Sequence, residues 1–185
     1  MNTATPLAHR RVAILVTDGF EESELLSPKA ALEARGVTVD VVSDRPVQVQ
    51  GFQHTEPGRQ VTVDCALDQA RADRYDALVL PGGVVNSDAL RLLPQARSLA
   101  VAMAAAHKPI AVICHGAWLL VSAGLVADRT LTSWPSLQDD IRNAGGHWVD
   151  REVVCDGPLI SSRRPDDLPA FNAALLNALA RVEPT

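Results

Sequence analysis

Cys114 closes an apolar run, Pro109-Ile110-Ala111-Val112-Ile113, and opens one of helical character, His115-Gly116-Ala117-Trp118-Leu119-Leu120-Val121. A strand that turns at once into a helix around a small residue such as Gly116 makes a sharp elbow. The side chain at its apex is held out from the backbone. A thiol there meets the free N–H groups of the helix's first turn and the positive end of its dipole, and both favour the thiolate. The thiolate is the nucleophile, so the pattern predicts an activated cysteine. The same position also suits a small apolar cysteine ending a core strand, and position alone leaves both readings open.

An elbow of this kind needs a sheet behind it. Arg11-Val12-Ala13-Ile14-Leu15-Val16 reads as a buried first strand and Val37-Thr38-Val39-Asp40-Val41-Val42 as a second. Between them Glu21 to Arg35 has helical character, with acids in its first turn, Gly36 past its end and a kink or restart expected at Pro28. Residues 43–58 are rich in turn formers and predict a loop or small hairpin. Val61 to Asp64 predicts a short strand and Asp76 to Leu80 a strongly buried one, and an Ala-rich helix over about Pro94 to His107 precedes the Cys114 strand. Beyond the elbow the pattern predicts a strand near Thr130, a helix over Ser136 to Ala144, strands near Trp148 to Cys155 and Leu159 to Ser161, and a last helix over Asp166 to Ala180. This alternation implies one three-layer α/β/α sandwich of flavodoxin type over residues 1–185, with a mostly parallel sheet and loose ends at 1–9 and 183–185.

In an open parallel sheet, ligands bind beyond the carboxyl ends of the strands. Three polar segments should therefore share one rim: Thr17-Asp18-Gly19-Phe20-Glu21-Glu22, Pro81-Gly82-Gly83 and Cys114-His115-Gly116. Glu21 could hydrogen-bond the Cys114 sulfur, or it and Glu22 could be solvated acids at a helix start and Pro81-Gly82-Gly83 simply a tight turn. The backbone N–H groups of Gly83 and His115 would form an oxyanion hole opposite the sulfur. His115 can act as a base only if its ring folds back, whereas neighbouring side chains at a helix start tend to diverge. The competing motifs are absent. There is no Gly-x-Ser-x-Gly, no phosphate-binding glycine loop, and no His-x-Glu downstream of the cysteine to complete a glutaminase triad.

The chain has 185 residues, 47% hydrophobic and 21% charged, which suits one soluble domain. A net charge of −5 with scattered basic residues offers no footprint for nucleic acid or an anionic membrane. Three dispersed cysteines and five dispersed histidines make neither a disulfide framework nor a metal site, so no cofactor is expected. The first residues lack a signal pattern, and the cytoplasm is the expected compartment. Cys65 and Cys155 are read as structural, Trp118, Trp134 and Trp148 as packing residues, and His54 as a surface residue. Arg163-Arg164 reads as a solvated loop or an anion contact.

With the rim assembled, the chain resembles the PfpI family of cysteine proteins, part of a superfamily that includes the human parkinsonism-associated protein. The resemblance rests on Asp18-Gly19-Phe20-Glu21-Glu22, Asp76 to Gly83, Ile113-Cys114-His115-Gly116, Asn143 to Asp150 and Ser161-Ser162-Arg163. It implies a flavodoxin-like fold, a nucleophilic Cys114, a Glu21 carboxyl bonded to its sulfur, and homodimers or higher oligomers. In family members described as peptidases, a neighbouring subunit supplies a third carboxylate, for which Asp88 is the nearest candidate here. Other members are described as stress-response proteins, glyoxalases or deglycases. The expected substrate is a small reactive carbonyl or a glycated protein, attacked by Cys114 to give a hemithioacetal. The alternatives are an oligomeric cysteine peptidase and a non-enzymatic redox sensor or chaperone that uses oxidation of the same thiol.

Overall fold

A computed structural model describes residues 7–182. The elements of the first half are β1 (Arg11–Leu15), β2 (Phe20–Glu21), α1 (Glu22–Glu33), β3 (Thr38–Ser43), β4 (Gln48–Gln53), β5 (Glu56–Thr62), β6 (Cys65–Ala66), β7 (Ala77–Leu80), α2 (Val84–Leu92) and α3 (Pro94–Ala105). Those of the second half are β8 (Ile110–Ile113), α4 (Ala117–Ser122), β9 (Thr130–Leu131), α5 (Gln138–Asn143), β10 (His147–Trp148), β11 (Val153–Asp156), β12 (Leu159–Ser162) and α6 (Leu168–Leu179). The central sheet has seven strands in the order β11-β12-β8-β7-β1-β3-β6. Neighbours are parallel except the edge pair β11–β12. This is the expected flavodoxin-like α/β/α sandwich.

The strands read as unbroken apolar runs because both faces are covered. Their alternate residues feed two separate cores. Ala13, Leu15, Leu78, Leu80 and Val112 pack beneath Leu99 and Met103 of α3 and Leu119 and Leu120 of α4. Val12, Ile14, Val79, Ala111 and Ile113 face Leu25 and Leu32 of α1 and Phe171, Leu175 and Leu179 of α6. Cys114, directly after β8, packs on this second side.

Several local features differ from the sequence reading. Pro28 lies inside α1 without ending it. The 43–58 segment forms a hairpin, one of its two expected forms, but the hairpin β4–β5 also takes in Val61 and Thr62 of the expected 61–64 strand and is tied by β2 to the edge of the rim. Helix α2 was not expected at all. It starts directly after Gly83, stops at Leu92, and gives way at once to α3, whose Pro94 occupies the first turn, where its missing N–H costs nothing. Of the tail expected to be loose, residues 1–6 lie outside the described residues, as do 183–185. Leu7, by contrast, is packed into the α1 side of the core. Among the described residues, no helix is long and apolar enough to cross a membrane.

Candidate active site

Strands β1, β7 and β8 are neighbours in the sheet, and the segments leaving their carboxyl ends converge as expected. Gly82 is where they touch. A Cβ on Gly82 would lie 2.6 Å from Glu24 Oε2, 2.7 Å from Cys114 Cβ and 2.9 Å from His115 N, so only a bare backbone lets carboxyl, thiol and amide meet. Gly83 adopts φ +89°, and a Cβ there would sit 2.3 Å from the Gly19 carbonyl oxygen. Loop 81–83 is thus packed backbone to backbone against the loop after β1.

Cys114 has φ +61°, a left-handed conformation that costs a non-glycine residue about 1–2 kcal/mol. A single 3-10 turn, Cys114–Gly116, carries the chain from β8 into α4. Cys114 Sγ lies 3.2 Å from His115 Nδ1, so the ring does fold back onto the thiol. The backbone amides of His115 and Gly83 both hydrogen-bond the sulfur. They are the pair expected to receive an oxyanion.

The carboxyl at the sulfur belongs to Glu24, which corrects the expectation for Glu21. Glu21 sits at the position just before α1 rather than within it, makes no capping bond, and has its carboxylate taken up elsewhere. Its Oε2 accepts from the His54 backbone N–H at 3.0 Å, and its Oε1 accepts from Ser23 Oγ at 3.4 Å. Glu24 falls in phase with Leu25, Pro28 and Leu32 on the inward stripe of the helix. It is fully buried, its Oε2 accepts from Gly82 N at 2.7 Å, and its carboxyl also interacts with the Cys114 thiol. Oε1 is buried without a hydrogen-bond partner. A carboxylate in the apolar phase of a helix was the readable signal for this residue.

Burial pushes the Cys114 thiol up, and the Glu24 carboxylate adds to the rise, while the His115 and Gly83 amides pull down. The sequence predicted the opposite direction. Helix α4 has only six residues and Cys114 is 7% exposed, so desolvation outweighs the partial charge of so short a helix. Burial also pushes the Glu24 carboxyl up, to about 8, against the hydrogen bond from Gly82. At neutral pH the carboxyl therefore holds its proton and can donate to the sulfur. Burial lowers His115, so its imidazole is neutral and able to accept a proton.

A cleft of about 160 Å³ opens above the sulfur, lined by Glu21, Glu24, His54, Gly83, Val84, Cys114, His115, Trp134 and Pro165. That is smaller than the roughly 300–1,000 Å³ of sites for drug-sized ligands. A larger groove of about 640 Å³ between residues 67–73 and α3 has no cysteine or histidine in its lining. His54 and Trp134 were read as surface and packing residues, yet both line the cleft. They arrive on the β4–β5 turn and the loop after β9, which no periodicity connects to Cys114. Asp88 is exposed on α2 and does not line this chain's cleft. Arg163 is held by Asp150 and Asp167 at 2.8 and 2.9 Å, so its charge is already matched. Cys155 is exposed and Cys65 half-buried.

The fold and the site together define a flavodoxin-like protein with a cysteine at a strand-to-helix elbow, a histidine on its sulfur and a buried acid beneath. The DJ-1/PfpI family pattern matches residues 10–178, and the chain belongs to that family. It is 42% identical over 161 residues to Deglycase TK1284 of Thermococcus kodakarensis, covering 87% of this chain and 94% of that protein. It is 36% identical over 170 residues to the putative cysteine protease YraA of Bacillus subtilis, covering 92% of this chain and 98% of that protein. Among solved structures it superposes on Drosophila melanogaster DJ-1beta with a TM-score of 0.84 at 28% identity, covering 92% of this chain and 90% of that one.

Proposed function

We propose that the chain is a cysteine-dependent deglycase-type hydrolase, acting on small dicarbonyls or on their adducts with proteins. The observation that carries this reading is the 3.2 Å contact between Cys114 Sγ and a neutral His115 at the floor of a small cleft. As Sγ attacks an aldehyde carbon, its proton passes to His115 Nδ1 and the carbonyl electron pair moves to oxygen. The Gly83 and His115 amides hold that oxygen until it takes a proton as the hemithioacetal. The C–H proton then transfers to the adjacent ketone carbon with His115 as carrier, leaving a thioester that water hydrolyses to a 2-hydroxy acid and the free thiol. One carbon of the dicarbonyl is oxidised and its neighbour reduced, so the reaction consumes only water. The relative named as a deglycase supports the substrate class.

The test is methylglyoxal consumption with 2-hydroxy acid detection, comparing the wild type with Cys114→Ser. Turnover by the wild type that disappears in the variant is the expected result. Consumption at the wild-type rate by Cys114→Ser refutes the reading.

A protonated Glu24 beside the sulfur favours a second reading, peroxide sensing, because the carboxyl can donate to a sulfinate formed at Cys114. Intact-mass mapping after peroxide treatment tests it. Oxidation of the exposed Cys155 ahead of Cys114 removes this reading. A peptidase, as the name of the Bacillus subtilis relative suggests, needs room for an extended main chain, which a cleft of about 160 Å³ provides poorly.

A further inference from the structure

The imidazole of His115 lies between two indoles. Trp118 meets it edge-on, with ring centroids 5.3 Å apart and planes at 66°. Trp134 stacks on it at 5.8 Å and 24°. The Trp118 indole is itself held in place, and so is the backbone that carries Trp134. Trp118 Nε1 donates to Asp140 Oδ2 at 2.8 Å, and the Arg91 guanidinium lies 5.3 Å over its ring, fixed by its own bond to Ser122 Oγ. The Trp134 backbone N–H donates to the Cys114 carbonyl at 3.2 Å. Its carbonyl accepts from Ser133 Oγ, which in turn receives Trp148 Nε1 at 3.0 Å. The loop after β9 is therefore tied to the elbow it covers.

A histidine side chain next to a cysteine at a helix start has no intrinsic reason to turn toward it. Stacking by an aromatic plane whose backbone is hydrogen-bonded to the thiol's own carbonyl supplies that reason, since it removes the ring orientations that would carry Nδ1 away. We infer that Trp134 is a positioning residue, which clamps His115 against Trp118 with Nδ1 toward the Cys114 sulfur and acts through that ring. The ionisable groups around the ring are Cys114 and Glu24 beneath it, Glu21 and His54 across the cleft, and Arg91 and Asp140 beyond Trp118. Of these, none but Cys114 hydrogen-bonds the ring. The clamp works through orientation and water exclusion rather than a new charge.

This inference rests on His115 as acceptor of the Cys114 proton, and its test does not depend on turnover. His115 is titrated by NMR, and Cys114 alkylation by iodoacetamide is followed against pH, in the wild type, Trp134→Ala and Trp134→Phe. Far-UV circular dichroism confirms that the variants fold. In Trp134→Ala, the His115 titration is expected to move up toward that of a free imidazole, and alkylation near pH 7 to slow roughly tenfold, a fraction of what a positioned base supplies. Trp134→Phe keeps an aromatic plane and should restore both. If Trp134→Ala leaves the titration and the alkylation profile unchanged, or if Phe fails to rescue what Ala disturbs, the clamp is refuted. Where turnover is measurable, kcat should fall at nearly constant KM, while a rise in KM alone would make Trp134 a substrate wall instead. A wild type without dicarbonyl turnover sinks the deglycase reading, and the titration and alkylation still decide the clamp.

Discussion

The two ends of the same sheet are built on different terms. At the amino end of the strands, charges are matched. The Arg11 guanidinium grips Asp40 through Nε and Nη2, both at 2.9 Å, and Tyr75 donates to the same carboxylate at 3.0 Å. Arg10 Nη1 and the Arg11 backbone N–H share Asp76 at 2.8 Å each, and Lys108 Nζ donates to the carbonyls of Ala72 and Tyr75. At the carboxyl end, Cys114 and Gly83 hold positive φ, and the side-chain oxygens of Thr17, Ser87 and Thr132 are buried without partners, as is Glu24 Oε1. Unpartnered buried oxygens gather around the candidate site, where Cys114 itself holds a positive φ, while the carboxylates at the amino end are matched; ion pairs are found at the carboxyl end too, as at Arg163, and positive φ at the amino end, as at His107 and Gly36.

The largest expected effect separates the two ends outright. Cys114→Ala should cost at least about 10³-fold in dicarbonyl turnover, because the group removed is the proposed nucleophile. The melting temperature should change little, since Cys114 forms no structural bridge. A variant that keeps its activity would remove the functional half of the contrast.

Glu24→Gln tests the electrostatic half. A carboxyl raised from 4.5 to about 8 binds its proton more tightly folded than unfolded. Its contribution to stability is thus fully present below about pH 4.5 and is lost as pH rises through about 8, on the order of a few kcal/mol across that window. Glutamine cannot ionise. Chemical denaturation between pH 5 and 8 should show wild-type stability falling relative to Glu24→Gln as pH rises. Parallel curves would mean that Glu24 is already ionised at pH 5.

Asp40→Ala strikes the other end. It removes the carboxylate that Tyr75 donates to and leaves the buried hydroxyl only the weak sulfur partner Cys65, while Arg11, 41% exposed, can turn to water. The expected loss is about 2 kcal/mol, or roughly 4–8 °C in Tm for a chain of this size. Cys114 alkylation per folded molecule should stay the same. A matching loss of thiol reactivity would show that the ends are coupled through β1 and β3 rather than independent.

The contrast also explains what could be read from the sequence. Strands such as Ala77–Leu80 and Ile110–Ile113 announce themselves because burial on both faces leaves only apolar residues, and their order implies the parallel sheet. The elbow, the bare Gly82-Gly83 backbone and the convergence of three loops followed from that sheet. What was not legible depends on geometry finer than spacing. Glu21 and Glu24 lie one helical turn apart, and only the phase set by Leu25, Pro28 and Leu32 tells which one turns inward. Helix α2 was hidden because Val84-Val85-Asn86-Ser87 has the composition of a loop or strand, while buried Asn86 ties its first turn to Thr17, Pro81 and Gly82. The sign of the Cys114 shift needed the depth of the thiol, and Trp134 needed the path of a loop that leaves another strand.

Asn86 is where the smallest of these effects should appear, and it tests what holds the reactive end together. Its Oδ1 accepts from Thr17 N at 2.8 Å, and its Nδ2 donates to the carbonyls of Pro81 and Gly82 at 3.2 and 2.9 Å. One fully buried amide thus turns both carbonyls away from the cleft and leaves the Gly82 and Gly83 amides facing Glu24 and the sulfur. Asn86→Asp keeps the acceptor for Thr17 but replaces the donor with an oxygen set against two carbonyls. The expected cost is about 1–2 kcal/mol, within the range for a buried polar group left unmatched. Cys114 alkylation should slow as the 81–83 backbone relaxes. Both changes should diminish at acidic pH, where the introduced carboxyl takes up a proton and can donate again. If stability falls while alkylation holds its wild-type pH profile, the loop keeps its orientation without the amide. The bare backbone packing of Gly83 against Gly19 would then be what holds the rim.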